Sequence, residues 1–193
     1  MLDNAIKQQL KEYFQKLERP VLLRAYPGEN VKRAELTDML GQIAELSDKI
    51  TFEESAEAGP SPISFDVLTD GEPTGIRFSG SPGGHEFSAL VLAILHSGGS
   101  PLKLDEGVQK LVSRVAEPLK FQTVISLSCH NCPDVVQTLN SFALLNPNIS
   151  SEMIDGALFS EFVHDNNEQG VPAVFLNGEV FANGKIDAGQ LIQ

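Results

Sequence analysis

The chain repeats its own pattern, and that duplication narrows the folds open to it more than any other feature. An apolar run from Val21 to Tyr26, a turn at Pro27-Gly28-Glu29-Asn30 and a helical pattern at Leu36, Met39, Leu40 and Ile43 come first. About 102 residues later the same order returns: Phe121 to Leu127, a short loop, then a helical pattern from Pro133 to Leu145. Further on, the two prolines Pro62 and Pro172 align at an offset of 110. The extra residues fall where the second copy places Leu158, Phe159, Phe162 and Val163 at helical spacing. The first copy is therefore expected to lack one short helix.

Other elements fill in the order. Leu2, Ile6, Leu10, Tyr13, Phe14 and Leu17 predict an opening amphipathic helix that ends near Pro20. Lys49 to Glu53 reads as a strand. Pro62 to Leu68 and Gly75 to Ser79 read as a hairpin around Asp70-Gly71. Phe87, Leu90, Val91, Ile94 and Leu95 mark a one-faced helix stopped by Gly98-Gly99, and Leu104 to Val115 marks the helix that leads into the second copy. In that copy Ser151 to Ile154 is a strand, Pro172 to Leu176 and Glu179 to Ala182 form a hairpin on Asn177-Gly178, and a final helix begins near Asp187. Strand–helix–strand followed by hairpin and helix is the α/β order of a thioredoxin-like fold. Two units are expected, over 1–101 and 102–193.

Composition limits the function. Of 193 residues 41% are hydrophobic, enough for a core, and tryptophan is absent. A net charge of −12 argues against nucleic acid, whose phosphates require basic patches, and against anionic membrane surfaces. The opening Met1-Leu2-Asp3-Asn4 lacks the basic and apolar regions of a signal peptide, and the apolar stretch Ala89 to Leu95 is too short to span a bilayer. A cytosolic location is expected, where Asn148-Ile149-Ser150 has no meaning as a glycosylation site.

The chain has two cysteines, Cys129 and Cys132, in Leu127-Ser128-Cys129-His130-Asn131-Cys132-Pro133. A Cys-x-x-Cys where a strand hands over to a helix suits thiol–disulfide exchange. Unpaired N–H groups and the positive dipole end of the helix stabilise a thiolate, which is the nucleophile. In the cytosol a close pair is more often catalytic, redox-sensing or metal-binding than structural. Structural zinc usually takes four protein ligands, and here no second cysteine pair exists and His85, His96 and His164 lack ligand spacing, so no metal is expected. Two inert buried thiols are the other alternative. Cys129 is assigned as the attacking thiolate, at the exposed helix start. Cys132, one turn in and more buried, is assigned as the resolving thiol. Pro133 suits the first helical turn. His130 either favours the thiolate when charged or simply tolerates an exposed loop.

In a thioredoxin-like fold a cis proline faces the dithiol, and the residue before it offers backbone hydrogen bonds to the partner. The fold assignment puts Val171-Pro172 there, and repeat logic extends a cis expectation to Pro62. Glu86 opens a helix, where a glutamate is usually solvated and favoured by the dipole. The preceding Ser81-Pro82-Gly83-Gly84-His85 lacks the spacing of a nucleotide loop, so no cofactor-binding residue is assigned. His85, His96 and His164 read as ordinary.

The whole chain resembles the N-terminal region of the flavoprotein component of alkyl hydroperoxide reductase. The resemblance lies in Ser126-Leu127-Ser128-Cys129-His130-Asn131-Cys132-Pro133-Asp134-Val135-Val136, in Gly170-Val171-Pro172-Ala173-Val174-Phe175, in Gly80-Ser81-Pro82-Gly83-Gly84-His85-Glu86-Phe87, and in the opening helix with Ile43-Ala44-Glu45-Leu46-Ser47-Asp48-Lys49. It implies two fused thioredoxin-like units that share one continuous mixed sheet with helices on both faces, only the second unit carrying cysteines. It also implies a longer polypeptide whose later portion binds FAD and NADH and reduces the Cys129–Cys132 disulfide. The dithiol then reduces a peroxiredoxin. Glu86 matches a glutamate that reaches across to the dithiol as an acid–base group. This chain stops at Gln193, before any flavin or nicotinamide segment, and reads as an excised domain or a stand-alone carrier. Two other functions fit the residues: a general protein disulfide oxidoreductase, and a docking module whose cysteines only sense redox state.

Overall fold

In the computed structural model, residues 2–102, 104–159 and 171–183 are described. Helix α1 (Asn4–Phe14) starts where the Asp3 carboxylate accepts a hydrogen bond from the Ile6 N–H at 2.8 Å. It is shorter than its apolar pattern, because Leu2 precedes the cap and Leu17 lies past the end while still buried. There follow β1 (Val21–Ala25), α2 (Arg33–Ala44), β2 (Ile50–Glu54), β3 (Ser64–Thr69) and β4 (Glu72–Ser79). A single 3₁₀ turn, Gly84–Glu86, runs into α3 (Phe87–Ser97), and α4 (Glu106–Ser113) is capped by Asp105. The second copy holds β5 (Leu119–Ile125), α5 (Cys132–Leu145), β6 (Ile149–Asp155), β7 (Ala173–Leu176) and β8 (Glu179–Asn183). Phe162 and Val163, and the helix expected from Asp187, lie outside the described residues.

All the described strands form one mixed sheet of eight, in the order β2-β1-β3-β4-β6-β5-β7-β8. Each copy contributes the same four-strand order, with one parallel pair followed by two antiparallel pairs. Both hairpins turn on two residues with positive φ: Asp70 at 53° with Gly71 at 79°, and Asn177 at 51° with Gly178 at 89°. That conformation twists with the strands and favours Asp-Gly and Asn-Gly. The copies join at β4 and β6, which pair in parallel from Ile76↔Ser151 to Ser79↔Ile154.

Two expectations need correction. Strand β4 begins at Glu72 rather than Gly75, because a register shift between Val67 and Leu68 lets Pro73 sit opposite Leu68. The peptide before Pro62 is trans, and the cis bond among the described residues is Val171–Pro172. Pro62 lies in a turn closed by the Ser64 N–H on the Ser61 carbonyl at 3.2 Å, and its ring packs over Gly28. The ordinary trans preference is met there.

Alternation along the strands sets the layers. Val21, Leu23, Phe65, Val67, Ile76, Phe78, Met153 and Ile125 face Leu10 and Phe14 of α1, Leu36 and Leu40 of α2, Leu90 and Ile94 of α3, and Val136 of α5 in one core. Phe121, Ile149 and Val174 pack with Val112 of α4 and Val135, Leu139 and Phe142 of α5. On the reverse face Val124, Ile154, Ala173 and Phe175 pack with Phe159. Across the join, the reverse face also carries a polar row, in which Asp66, Arg77, Glu152 and Gln122 are neighbours in successive strands. The Arg77 Nε donates to Asp66 Oδ1 at 2.6 Å, and the Gln122 amide donates to Glu152 at 3.1 Å.

Candidate functional site

Strand β5 ends at Ile125, and the loop that follows is folded by its own serines. The Cys129 N–H donates to the Ser126 carbonyl at 3.0 Å, and the Ser126 and Ser128 hydroxyls lie 3.1 Å apart. Helix α5 starts at Cys132 itself, with Pro133 in its first turn, where a missing N–H costs little. Cys132 thus occupies the first helical turn, and Cys129 lies before the helix. A disulfide joins them, with their Cα atoms 5.5 Å apart. Cys132 is fully buried in the core that spans both copies, while Cys129 is half-buried and His130 between them is exposed. One sulfur is therefore within reach of an incoming group, and the other is sealed behind it.

The partner strand supplies the next residues. Strand β7 runs antiparallel to β5 with Ala173 opposite Val124, so Pro172 falls beside the end of β5, from which the cysteine loop departs. Pro172 is buried, and Val171 on the other side of the cis bond is 40% exposed.

Glu86 arrives from the copy without cysteines. The 3₁₀ turn that carries it lies against the cysteine loop, with the His85 N–H donating to the Leu127 carbonyl at 3.0 Å. Gly84 makes this approach possible: its φ is +53°, and a Cβ there would stand 2.7 Å from the Leu127 carbonyl oxygen. Glu86 is not the solvated first-turn residue of the ordinary reading. It is fully buried, and neither carboxyl oxygen has a hydrogen-bond partner among the described residues. Burial, then repulsion from Asp134 and Asp155, pushes its pKa up to about 8. Asp155, at the end of β6, is buried too, and burial raises its carboxyl against the opposing effect of a hydrogen bond from the Ala157 N–H.

Two neighbours were not singled out by sequence reasoning. His85, read as ordinary, packs its ring on His130 with centroids 4.4 Å apart. The signal available was its place in the segment shared with the reductase family. Asp155 gave no signal, because an aspartate at a strand end is commonplace. Among the described residues no group of three or more His, Cys, Asp or Glu side chains is placed to hold a metal ion, and no helix is long and apolar enough to cross a membrane. Chemically, a disulfide with one approachable sulfur suits thiol–disulfide exchange, and the turn that carries the buried Glu86 carboxyl lies against its loop.

Known proteins bear the same arrangement of elements. The family described as "Thioredoxin domain" matches residues 120–193. The alkyl hydroperoxide reductase F protein of Escherichia coli (strain K12) is 45% identical over 192 residues, covering 100% of this chain and 37% of that protein. A Bacillus subtilis (strain 168) protein described as NADH dehydrogenase is 42% identical over 192 residues, with 100% and 37% covered. The chain thus spans 37% of the length of these curated relatives. A crystal structure of the N-terminal domain of alkyl hydroperoxide reductase AhpF from Enterococcus faecalis (V583) superposes with a TM-score of 0.91 at 32% identity, covering 100% of this chain and 98% of that one. With 32% identity and a TM-score of 0.91 over 98% of that solved domain, the chain belongs to the family of N-terminal domains of the alkyl hydroperoxide reductase AhpF.

Proposed function

We propose that this chain is an electron-transfer domain in which Cys129 and Cys132 alternate between dithiol and disulfide. They take electrons from an FAD- and NADH-binding flavoprotein module and pass them to a peroxiredoxin, in the cytosol. The observation that carries this reading is the disulfide itself, one sulfur half-exposed and the other buried at a strand–helix junction. In the reductive half, a donor dithiol supplies two electrons and the Cys129–Cys132 bond breaks. In the oxidative half, the Cys129 thiolate attacks the partner's disulfide and releases one partner thiolate. Cys132 then attacks Cys129, reforms the internal disulfide and releases the second partner thiolate.

The buried resolving sulfur needs a group that gives it a proton when the disulfide is reduced and takes that proton back when Cys132 attacks. We assign this to Glu86, whose carboxyl at about 8 is close to the ordinary thiol value of about 8.5, so a proton passes between the groups at little cost. Val171 and Pro172 would meet the incoming chain, and His130 would lie at the rim of the mixed disulfide. The division into units at 101/102 falls between α3 and α4 and is part of the same proposal.

The test is single-turnover transfer from the reduced chain to an oxidised peroxiredoxin. Cys129→Ser is expected to abolish transfer, and Cys132→Ser to stop at a mixed disulfide with the partner. Transfer by Cys129→Ser at the parental rate would overturn the mechanism. Reduction of insulin as fast as of the peroxiredoxin would instead favour a general disulfide oxidoreductase. Partner binding that survives alanine at both cysteines, with no transfer by the parent, would favour a docking module.

A further inference from the structure

We propose that His85 is a positioning residue of the dithiol centre, supplied by the unit that has no cysteine and acting through His130. The inference rests on Cys129–Cys132 exchange as proposed above, but it concerns the internal equilibrium of that pair and needs no particular partner.

Three observations meet at His85. Its ring lies against that of His130, with centroids 4.4 Å apart and planes inclined by 58°. His130 is one of the two residues inside the disulfide ring, and both histidines are exposed, so the contact is not a by-product of core packing. The backbone beneath is fixed independently: the His85 N–H donates to the Leu127 carbonyl at 3.0 Å, and Gly84 lies directly on that carbonyl. On the far side, the Gln137 amide of α5 reaches the Ser88 hydroxyl of α3 at 3.5 Å. The turn is therefore held on both flanks, and the His85 ring is presented to the cysteine loop from a rigid base.

An exposed side chain in a short loop otherwise samples several rotamers. A tilted ring pair of this kind biases a two-state loop by about three- to tenfold. In the disulfide form the pair is in place. Reduction releases Cys129 from its tether to Cys132 and frees the His130 backbone between them. The ring contact therefore favours the closed, oxidised loop, and the cysteine-free unit sets part of the redox equilibrium of its neighbour.

The experiment equilibrates the whole chain with reduced and oxidised dithiothreitol and reads the dithiol fraction by thiol labelling. His85→Ala keeps the main-chain hydrogen bond and removes only the ring. It is expected to shift the equilibrium toward the dithiol by about three- to tenfold. His85→Phe, which keeps a ring to pack on His130, is expected to stay within about twofold of the parent. In a double-mutant cycle, His85→Ala added to His130→Ala is expected to have no further effect, because the partner ring is already gone. A parental equilibrium in His85→Ala, failure of Phe to rescue, or additive effects of the two alanines would each overturn the inference. Failure of the peroxiredoxin assay would overturn the proposed partner and leave this measurement standing.

Discussion

Glu86 has its carboxyl pushed up to about 8 because it is shut away from water with no hydrogen-bond partner among the described residues, and two further carboxyls add to the penalty. Its pKa of about 8 in the folded chain lies above the ordinary 4.5. Between those values the folded state binds more protons than the unfolded one, so this group's stabilisation is complete below about 4.5 and is lost as pH rises to about 8. Asp155, also raised, gives a slope of the same sign that starts lower. Glu86→Gln is therefore expected to flatten the decline and to exceed the parent in stability at pH 8 by on the order of 2 kcal/mol. Urea unfolding at pH 5, 6.5 and 8 reads this directly; a parent-to-variant difference that does not grow with pH would contradict it. Sequence alone suggested that Glu86 was solvated, and only the resemblance pointed elsewhere. The reason is physical: burial of a carboxyl depends on what packs over it, and that cover comes from residues far along the chain.

At the level of elements, most of the pattern was legible locally. Apolar spacing, Asp-Gly and Asn-Gly turns and the Cys-x-x-Cys junction each act within a few residues, so strands and helices appeared in the right order with ends shifted by one to a few positions. Where long-range packing intervened, local reasoning missed. Gly75 looked like the start of a strand, yet it lies inside β4 at the join, with a φ of +88° and the Ile149 carbonyl oxygen 2.8 Å from where a Cβ would be. Gly71 has a similar φ of +79° but faces open space. The pair separates backbone strain from steric conflict. Gly71→Ala is expected to cost about 1 kcal/mol, and Gly75→Ala about 2–3 kcal/mol, because β6 must also move. Denaturant midpoints of the two variants compare them; equal losses would mean that the close approach at the join carries no energy.

For the whole molecule the decisive feature is that one core crosses the join. Phe78 is fully buried, stacks on Phe65 at 5.1 Å between centroids, and pairs in register with Met153 of the second copy. Ile125, Cys132 and Val136 belong to the same cluster as Leu23 and Leu40. The copies should therefore unfold together in a single transition. Phe78→Ala is expected to cost about 3–5 kcal/mol and to lower amide protection in β1 and β5 alike. Calorimetry and hydrogen exchange test this, and two separate transitions, or protection lost only in β1 and β3, would show that the units are energetically independent. The polar row on the reverse face, from Asp66 through Arg77 and Glu152 to Gln122, is bonded within each copy by Arg77–Asp66 and Gln122–Glu152, and the Ser79 hydroxyl of β4 donates to the Glu152 carboxylate of β6 across the join.

Alone, the order of residues determined the repeat, the order of strands and helices, the two hairpin turns and the place of Cys129 and Cys132 between a strand and a helix, because periodicity, turn conformation and helix capping are settled by neighbours in the chain. Tertiary structure decided what meets the cysteine loop, namely the turn that carries the buried Glu86, which has no hydrogen-bond partner among the described residues, and His85 laid on His130; it also decided a cis bond at Val171–Pro172 and a trans one before Pro62. Those outcomes depend on β4 and β6 pairing across the two copies, a contact between segments far apart in the chain that no local pattern encodes.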